Sequence, residues 1–250
     1  SSFLSFRLRL GLEKDLLTAA LRSVVQLALL SFILEEVFRF NSPFSTGALL
    51  LWMCFWSARM VKSRVKEKEV PLFWPTFIVM TLSYFLLTIL MTQYIIQTGH
   101  WYKAQYFIPL GGMLAGNSLN AICLGLDRLF ATITDSRHDI EAQLALGASP
   151  YEAMKDIRPA AVRAAMIPSI NSMAAVGLIS IPGMMTGQIL AGQAPVSAVK
   201  YQLMILLFIN AAVCLVAILS LTWIERRCFN SRAQLKPEGE VLMALWRKGE

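Results

Sequence analysis

The spacing of apolar runs limits this chain more than any other feature. Six stretches, at about 16–37, 46–60, 71–97, 105–126, 168–192 and 201–224, are dominated by apolar residues and separated by short polar segments. A helix needs roughly 20 such residues to cross a bilayer. Hydrophobic residues make up 56% of the chain and charged residues only 16%, against about 25% charged in a soluble domain. The reading is an all-α polytopic membrane protein with six transmembrane helices. It forms a single membrane domain over residues 1–235, with a cytoplasmic loop at 127–167 and a tail at 236–250. Because the chain begins Ser1-Ser2 without Met, a further N-terminal helix is expected to be missing. Residues 1–15 read as the inner end of that helix or as an interfacial segment.

Charge sets the orientation. Of the 23 Lys and Arg residues, 19 fall in segments 1–15, 59–70, 127–167 and 225–250. Only Arg39, Lys103 and Lys200 fall in the opposite loops, and Arg22 lies within a span. Basic loops stay cytoplasmic, so both ends and the 127–167 loop face the cytoplasm. The net charge of +7 then concerns topology and anionic lipid. No aromatic-basic interleaving of a nucleic-acid-binding kind is present.

Catalytic and metal signatures are sparse. Cys54, Cys123, Cys214 and Cys228 make no CxxC pair and read as small buried hydrophobes. His100 and His138 fall on opposite sides of the membrane. No Asp or Glu lies at the centre of a span, which argues against an ion-driven carrier or proton pump. A Walker A sequence is absent, so the chain does not bind ATP in that way. An enzyme is not expected, nor a cofactor bound by this chain.

Polar groups inside the spans mark a candidate path. Arg22 and Gln26 share one helix face; Arg22 either snorkels to the headgroups or faces a polar cavity. Gly112-Met113-Leu114-Ala115-Gly116-Asn117 and Gly183-Met184-Met185-Thr186-Gly187-Gln188 both read Gly-Met-x-x-Gly-amide. Each is a GxxxG that lets helices approach closely in lipid, followed by an amide. One reading is tight packing; the other is two antiparallel helices lining a path with Asn117, Asn120 and Gln188 facing it. Pro182, inside the fifth apolar run, is expected to free the carbonyl of Leu178. Met113, Met184 and Met185 are either soft metal ligands or adaptable packing, and the metal set is left unknown. Ser180 completes the candidates.

The longest polar interruption is Glu141-Ala142-Gln143-Leu144-Ala145-Leu146-Gly147-Ala148-Ser149-Pro150, continuing to Ile157-Arg158-Pro159. It reads as helix, glycine turn, helix. Asp135 or Ser136 caps the first helix, Gly147 takes the left-handed turn, and Ser149 with Glu152 forms a capping box behind Pro150. A rigid cytoplasmic hairpin between spans is a docking element.

That spacing, Glu-Ala, Gly six residues on, then Ile-x-Pro, resembles the EAA loop of ABC transporter permeases. More of the chain carries the likeness: residues 10–15, Ile108 to Asn117, Leu144 to Pro150, Val176-Gly177-Leu178-Ile179-Ser180-Ile181-Pro182-Gly183-Met184-Met185-Thr186-Gly187, and Tyr201-Gln202. Together they resemble the FetB-like permease family, which includes bacterial iron-export permeases and plant aluminium-tolerance relatives. The resemblance implies a permease homodimer in a bacterial inner membrane or a eukaryotic membrane. It implies a separate cytoplasmic ABC ATPase docking at Glu141, Ala142, Leu146, Gly147, Ala148 and Ser149, and export of iron or another metal. A nucleotide-sugar cargo and a non-transporting membrane scaffold are the alternatives. Family members usually carry an Asp and a Lys three residues apart where this chain has Asn171 and Ala174, which leaves the cargo open.

Overall fold

The computed structural model describes residues 13–65, 70–230 and 232–236. The expectations for residues 1–12, for Lys66 and Lys68, and for the tail beyond Lys236 lie outside the described residues. The described chain is built from α-helices: α1 (Glu13–Phe40), α2 (Pro43–Arg64), α3 (Phe73–Leu90), α4 (Ala104–Asp135), α5 (Arg137–Ala145), α6 (Pro150–Ala153), α7 (Ile157–Ala175), α8 (Gly183–Leu190) and α9 (Pro195–Arg227). No named strand is present among the described residues; there are two isolated bridges, Val176 with Ser180 and Phe229 with Leu235.

Among the described residues, five segments are long and apolar enough to cross a membrane: Leu16–Phe40, Pro43–Arg64, Phe73–Ile95, Ala104–Asp135 and Pro195–Arg227. Helix ends run past the expected limits. α2 continues to Arg64, so Arg59 and Lys62 sit on helix, not in a loop. α4 has 32 residues and is therefore about 48 Å long at 1.5 Å per residue, well beyond the roughly 30 Å hydrocarbon core. Its last turns project beyond that core, so the 127–167 segment consists largely of helix: the end of α4, α5, α6 and the start of α7.

The fifth expected span, 168–192, is not one helix. α7 stops at Ala175, and Val176 turns to an extended conformation. Gly177 takes φ +83°, where a side chain is strained, and its N–H bonds to Ser180 O at 3.0 Å. Pro182 stands as the N-cap of α8, not inside a continuous helix. The expected freeing of the Leu178 carbonyl therefore does not arise, because Leu178 already lies in the turn. Gly192, at φ +90°, ends the unit. Neighbouring contacts show its role. A Cβ on Gly125 of α4 would meet Leu221 of α9 and Ala165 of α7, while Arg158 of α7 reaches Glu225 of α9. α4 and α9 thus run the same way with α7 against them, and the α7–turn–α8 unit returns the chain between two helices of like direction.

The core lies where α2, α3, α4, α7 and α9 meet, around Leu50, Tyr84, Leu114, Ile122, Ala165, Val213 and Leu221. α1 packs through Leu34 and Val37 on a separate small cluster of Leu49, Ala104 and Ile108. Small residues set the distances. A Cβ on Gly111 would stand 2.5 Å from Leu50 Cδ1, and on Gly125 2.9 Å from Leu221 Cδ1 and 3.1 Å from Ala165 Cβ. Of the expected packing glycines, Gly112 faces Met53 Cε at 2.9 Å, but Gly116, Gly183 and Gly187 have nothing within 4 Å. Within one chain the first GxxxG thus makes a close approach only at Gly112, against α2, and the second makes none.

Candidate functional site

Two regions carry the site, one between the helices and one at the end of the bundle that bears the α5–α6 hairpin. The first is an open cleft of about 440 Å³ among α4, α7, α8 and α9. Asn117 and Asn120 line it from α4, Ser169 and Ser172 from α7, and Gln202 and Asn210 from α9. Val176 and Pro182, at the two ends of the break, also line it. Irregular backbone in a membrane protein is tolerated where it lines a cavity. No Asp, Glu, His, Cys, Lys or Arg is on the lining. Among the described residues no three His, Cys, Asp or Glu side chains gather as a metal group.

The expected path residues divide. Asn117, Asn120 and Met184 come together in the cleft. Gln188 lies in the adjoining pocket, which shares Met113 and Met184 with it. Ser180 lines neither and is exposed in the turn. Arg22 and Gln26 stay exposed on α1 and away from the cleft. Asn171 and Ala174 are exposed on α7 and also off its lining. Asn120 Oδ1 accepts from Arg64 Nη1 at 3.1 Å, and Asn117 Nδ2 donates to Met113 O at 2.8 Å. Sequence reasoning passed over Gln202 and Asn210. Their signal was visible as two amides inside the apolar run of α9.

The second region is the hairpin. Gly147 takes φ +95° and closes α5 with Ala148 N–H on Gln143 O at 3.0 Å, the Schellman pattern. Ser149 N–H and Oγ–H donate to the Glu152 carboxylate at 2.8 and 2.6 Å, and Glu152 N–H returns a bond to Ser149 Oγ at 3.3 Å. The Ser149 hydroxyl, then its backbone N–H, holds the Glu152 carboxyl below its ordinary value. Ser136 occupies the N-cap of α5 but makes no side-chain cap bond; its carbonyl accepts from Ile140 N–H instead.

Polar contacts brace the hairpin and tie it to α9 and the segment after it. Arg137 pairs with Glu141 at 2.8 Å and donates to Lys236 O at 2.8 Å, joining α5 to the segment after α9. Arg158 Nε donates to Glu225 Oε2 at 2.7 Å, with Nη2 on Oε1. The Arg158 guanidinium also lies 4.1 Å from the centre of the Tyr151 ring. Leu146 at the tip is 90% exposed and Tyr151 is 64% exposed, outside the spans. Of the expected docking residues, Glu141, Ala142, Gly147 and Ser149 are exposed with Leu146, whereas Ala148 is half-buried.

These features define a multi-pass α-helical membrane protein with a polar cleft between its helices and a capped hairpin at one end of them. The chain belongs to the uncharacterised protein family UPF0014, whose family model matches residues 1–229. It is similar to UPF0014 membrane protein slr1647 of Synechocystis, 35% identical over 90% of this chain and 87% of the relative. It is similar to the probable iron export permease protein FetB of Escherichia coli, 32% identical over 93% and 88%. Protein ALUMINUM SENSITIVE 3 of Arabidopsis thaliana is 30% identical over 81% and 73%. A permease is a transport protein and not an enzyme. No solved structure matches.

Proposed function

We propose that this chain is the membrane-spanning permease subunit of an ABC transporter that exports iron or another metal, driven by a separate cytoplasmic ATPase. The observation that carries this reading is the continuity of hairpin and cleft. α7 begins at Ile157, just after the α6 turn, and its Ser169 and Ser172 form part of the cleft wall. A force on the exposed Leu146 and Tyr151 passes through a capped turn and the Arg158 anchor into that wall. A flexible loop would dissipate the same force.

The name of the Escherichia coli relative supports metal cargo and the export direction. Arg64, bonded to Asn120 of the cleft lining, keeps a nucleotide-sugar cargo as the alternative. The chain's part in transport is to bind and conduct; ATP hydrolysis belongs to the partner. The open space at Gly116, Gly183 and Gly187 leaves room for a second permease copy, in keeping with a homodimer.

The test is co-purification with a co-expressed ABC ATPase subunit from the same organism, followed by ATP-dependent metal movement in reconstituted vesicles. Gly147→Pro is expected to lose both ATPase capture and transport. Unchanged capture and transport would remove the coupling assignment, and ATP-independent or absent metal movement would remove the transporter reading.

A further inference from the structure

The fifth apolar run breaks inside the bilayer, and its broken backbone is uncovered. A Cβ on Gly125 of α4 would meet Ala165 of α7, which sets the two helices level there. α7 continues for about ten residues, roughly 15 Å, to its end at Ala175. The same distance on α4 leads back to Ala115, about 17 Å from the outer end of that helix at Ala104. In a hydrocarbon core of roughly 30 Å, the break lies near the middle.

Lipid does not suit this break. Residues 178–181 are exposed, and among the described residues the N–H groups of Leu178 and Ile181 find no backbone acceptor. Non-helical backbone at membrane depth is tolerated only inside protein or along a water-filled cavity. Val176 and Pro182, at the two ends of the break, border the cleft. Leu178, 90% exposed, and Ile179, 85% exposed, line neither the cleft nor the adjoining pocket. Their side chains are too apolar for water, and their backbone is too bare for lipid, which leaves protein as the cover. An ATPase docked at the hairpin stays outside the bilayer and cannot supply it.

The same surface of another copy fits. α8 buries none of its residues, and its Gly183 and Gly187 have nothing within 4 Å of either Cβ position. GxxxG faces pair closely with their own kind in lipid. Asn171, exposed one turn before the end of α7, adds an amide of the kind that bonds across such contacts. Two copies that keep their basic loops on one side are related by an axis along the membrane normal, so like residues meet at like depth.

We infer that the 176–182 turn and α8 form the interface between two copies of this chain, each turn covering the other's exposed backbone. Because both ends of the break border the cleft, the cleft of each copy is then walled in part by the second. This deepens the two-copy reading above and rests on it.

The experiment is thiol cross-linking of the full chain in membrane vesicles. Leu178→Cys and Ile181→Cys are each treated with a short bifunctional maleimide. The parent chain, whose four cysteines are buried or half-buried, sets the background. Leu82→Cys on α3 and Leu27→Cys on α1, both exposed, are the comparison faces. A covalent dimer is expected at 178 and 181 and not at 82 or 27. Gly187→Leu should lower the cross-linked fraction at 178 several-fold while the monomer keeps its unfolding temperature. Cross-linking through 82 or 27 in place of the turn overturns this interface and leaves the two-copy reading standing. So does an adduct at 178 whose mass shows a different polypeptide. A chain that cross-links nowhere and is monomeric by light scattering overturns both. Neither measurement uses ATP or metal, so each outcome is separate from the test of transport.

Discussion

Arg158 closes a two-pronged ion pair on Glu225, joining the first turn of α7 to the last turn of α9. The Glu225 side chain is 4% exposed, and the guanidinium is covered on its other face by Tyr151. Removing one partner of such a pair leaves a buried charge without compensation, at a cost of roughly 3–5 kcal/mol. Arg158→Met and Glu225→Leu should therefore each lower the unfolding temperature in detergent markedly. The double replacement by Met and Leu should recover much of the loss. If the double variant is as unstable as the singles combined, the pair is not acting as a unit.

The turn at Gly147 demands φ +95°. A side chain in that conformation costs roughly 1–2 kcal/mol. Because nothing stands within 4 Å of the Cβ position, the cost is conformational and not steric. Gly147→Ala is expected to insert and fold normally while weakening ATPase stimulation, and Gly147→Asn should lie between it and the parent. ATPase stimulation measured across the three checks the order.

Glu152 gives the hairpin a pH limit. Its folded-state carboxyl value lies below the ordinary 4.5 because the Ser149 hydroxyl, then the backbone N–H, bonds to the carboxylate. The unfolded turn therefore binds the proton more readily. The stabilisation is fully present above the ordinary value and is lost as pH falls through the lowered one. Hydrogen exchange at the α6 amides should stay slow down to about pH 4.5 and quicken below it. Glu152→Gln, which cannot ionise, should remove that dependence.

Glycines in similar sequence settings should respond in opposite ways. Gly125→Val places atoms against Ala165 Cβ and Leu221 at the junction of α4, α7 and α9, and overpacking of this kind costs about 1–3 kcal/mol. Gly116→Ala meets open space and should leave the single chain's thermal stability unchanged. Loss of a dimer on Gly116→Ala or Gly187→Ala, read by size-exclusion with light scattering, would place the second copy against those faces. No effect on either would move that contact elsewhere.

The hairpin was legible in the sequence because its signals are local. Gly147 terminates a helix, Ser149 and Glu152 lie three apart, and Pro150 opens a turn; each acts within a few residues of itself. The cleft was only half legible. Asn117 and Met184 could be chosen as polar or irregular groups inside apolar runs. Gln202 and Asn210 needed the packing of α9 against α4 and α7 to show that they face the same space. Arg22 went the other way: its span was identified correctly, but α1 packs through its outer end on a separate small cluster, so the guanidinium never reaches the cleft. The anchor of Arg158 on Glu225 joins residues 67 apart, and no local pattern predicts it.

The sequence by itself determined that the chain is helical, lies in a membrane, keeps its basic loops on one side and turns sharply at Gly147. These follow from hydropathy, charge and backbone sterics, which act residue by residue. Only the tertiary structure decided that the fifth apolar run breaks at Gly177, that Gly111, Gly112 and Gly125 are close-approach points, and that amide residues of α4 and α9 line one cleft. Those outcomes depend on which helix faces which. In a chain whose helices are apolar on nearly every side, the hydrophobic pattern cannot choose among faces; shape and buried polar groups do.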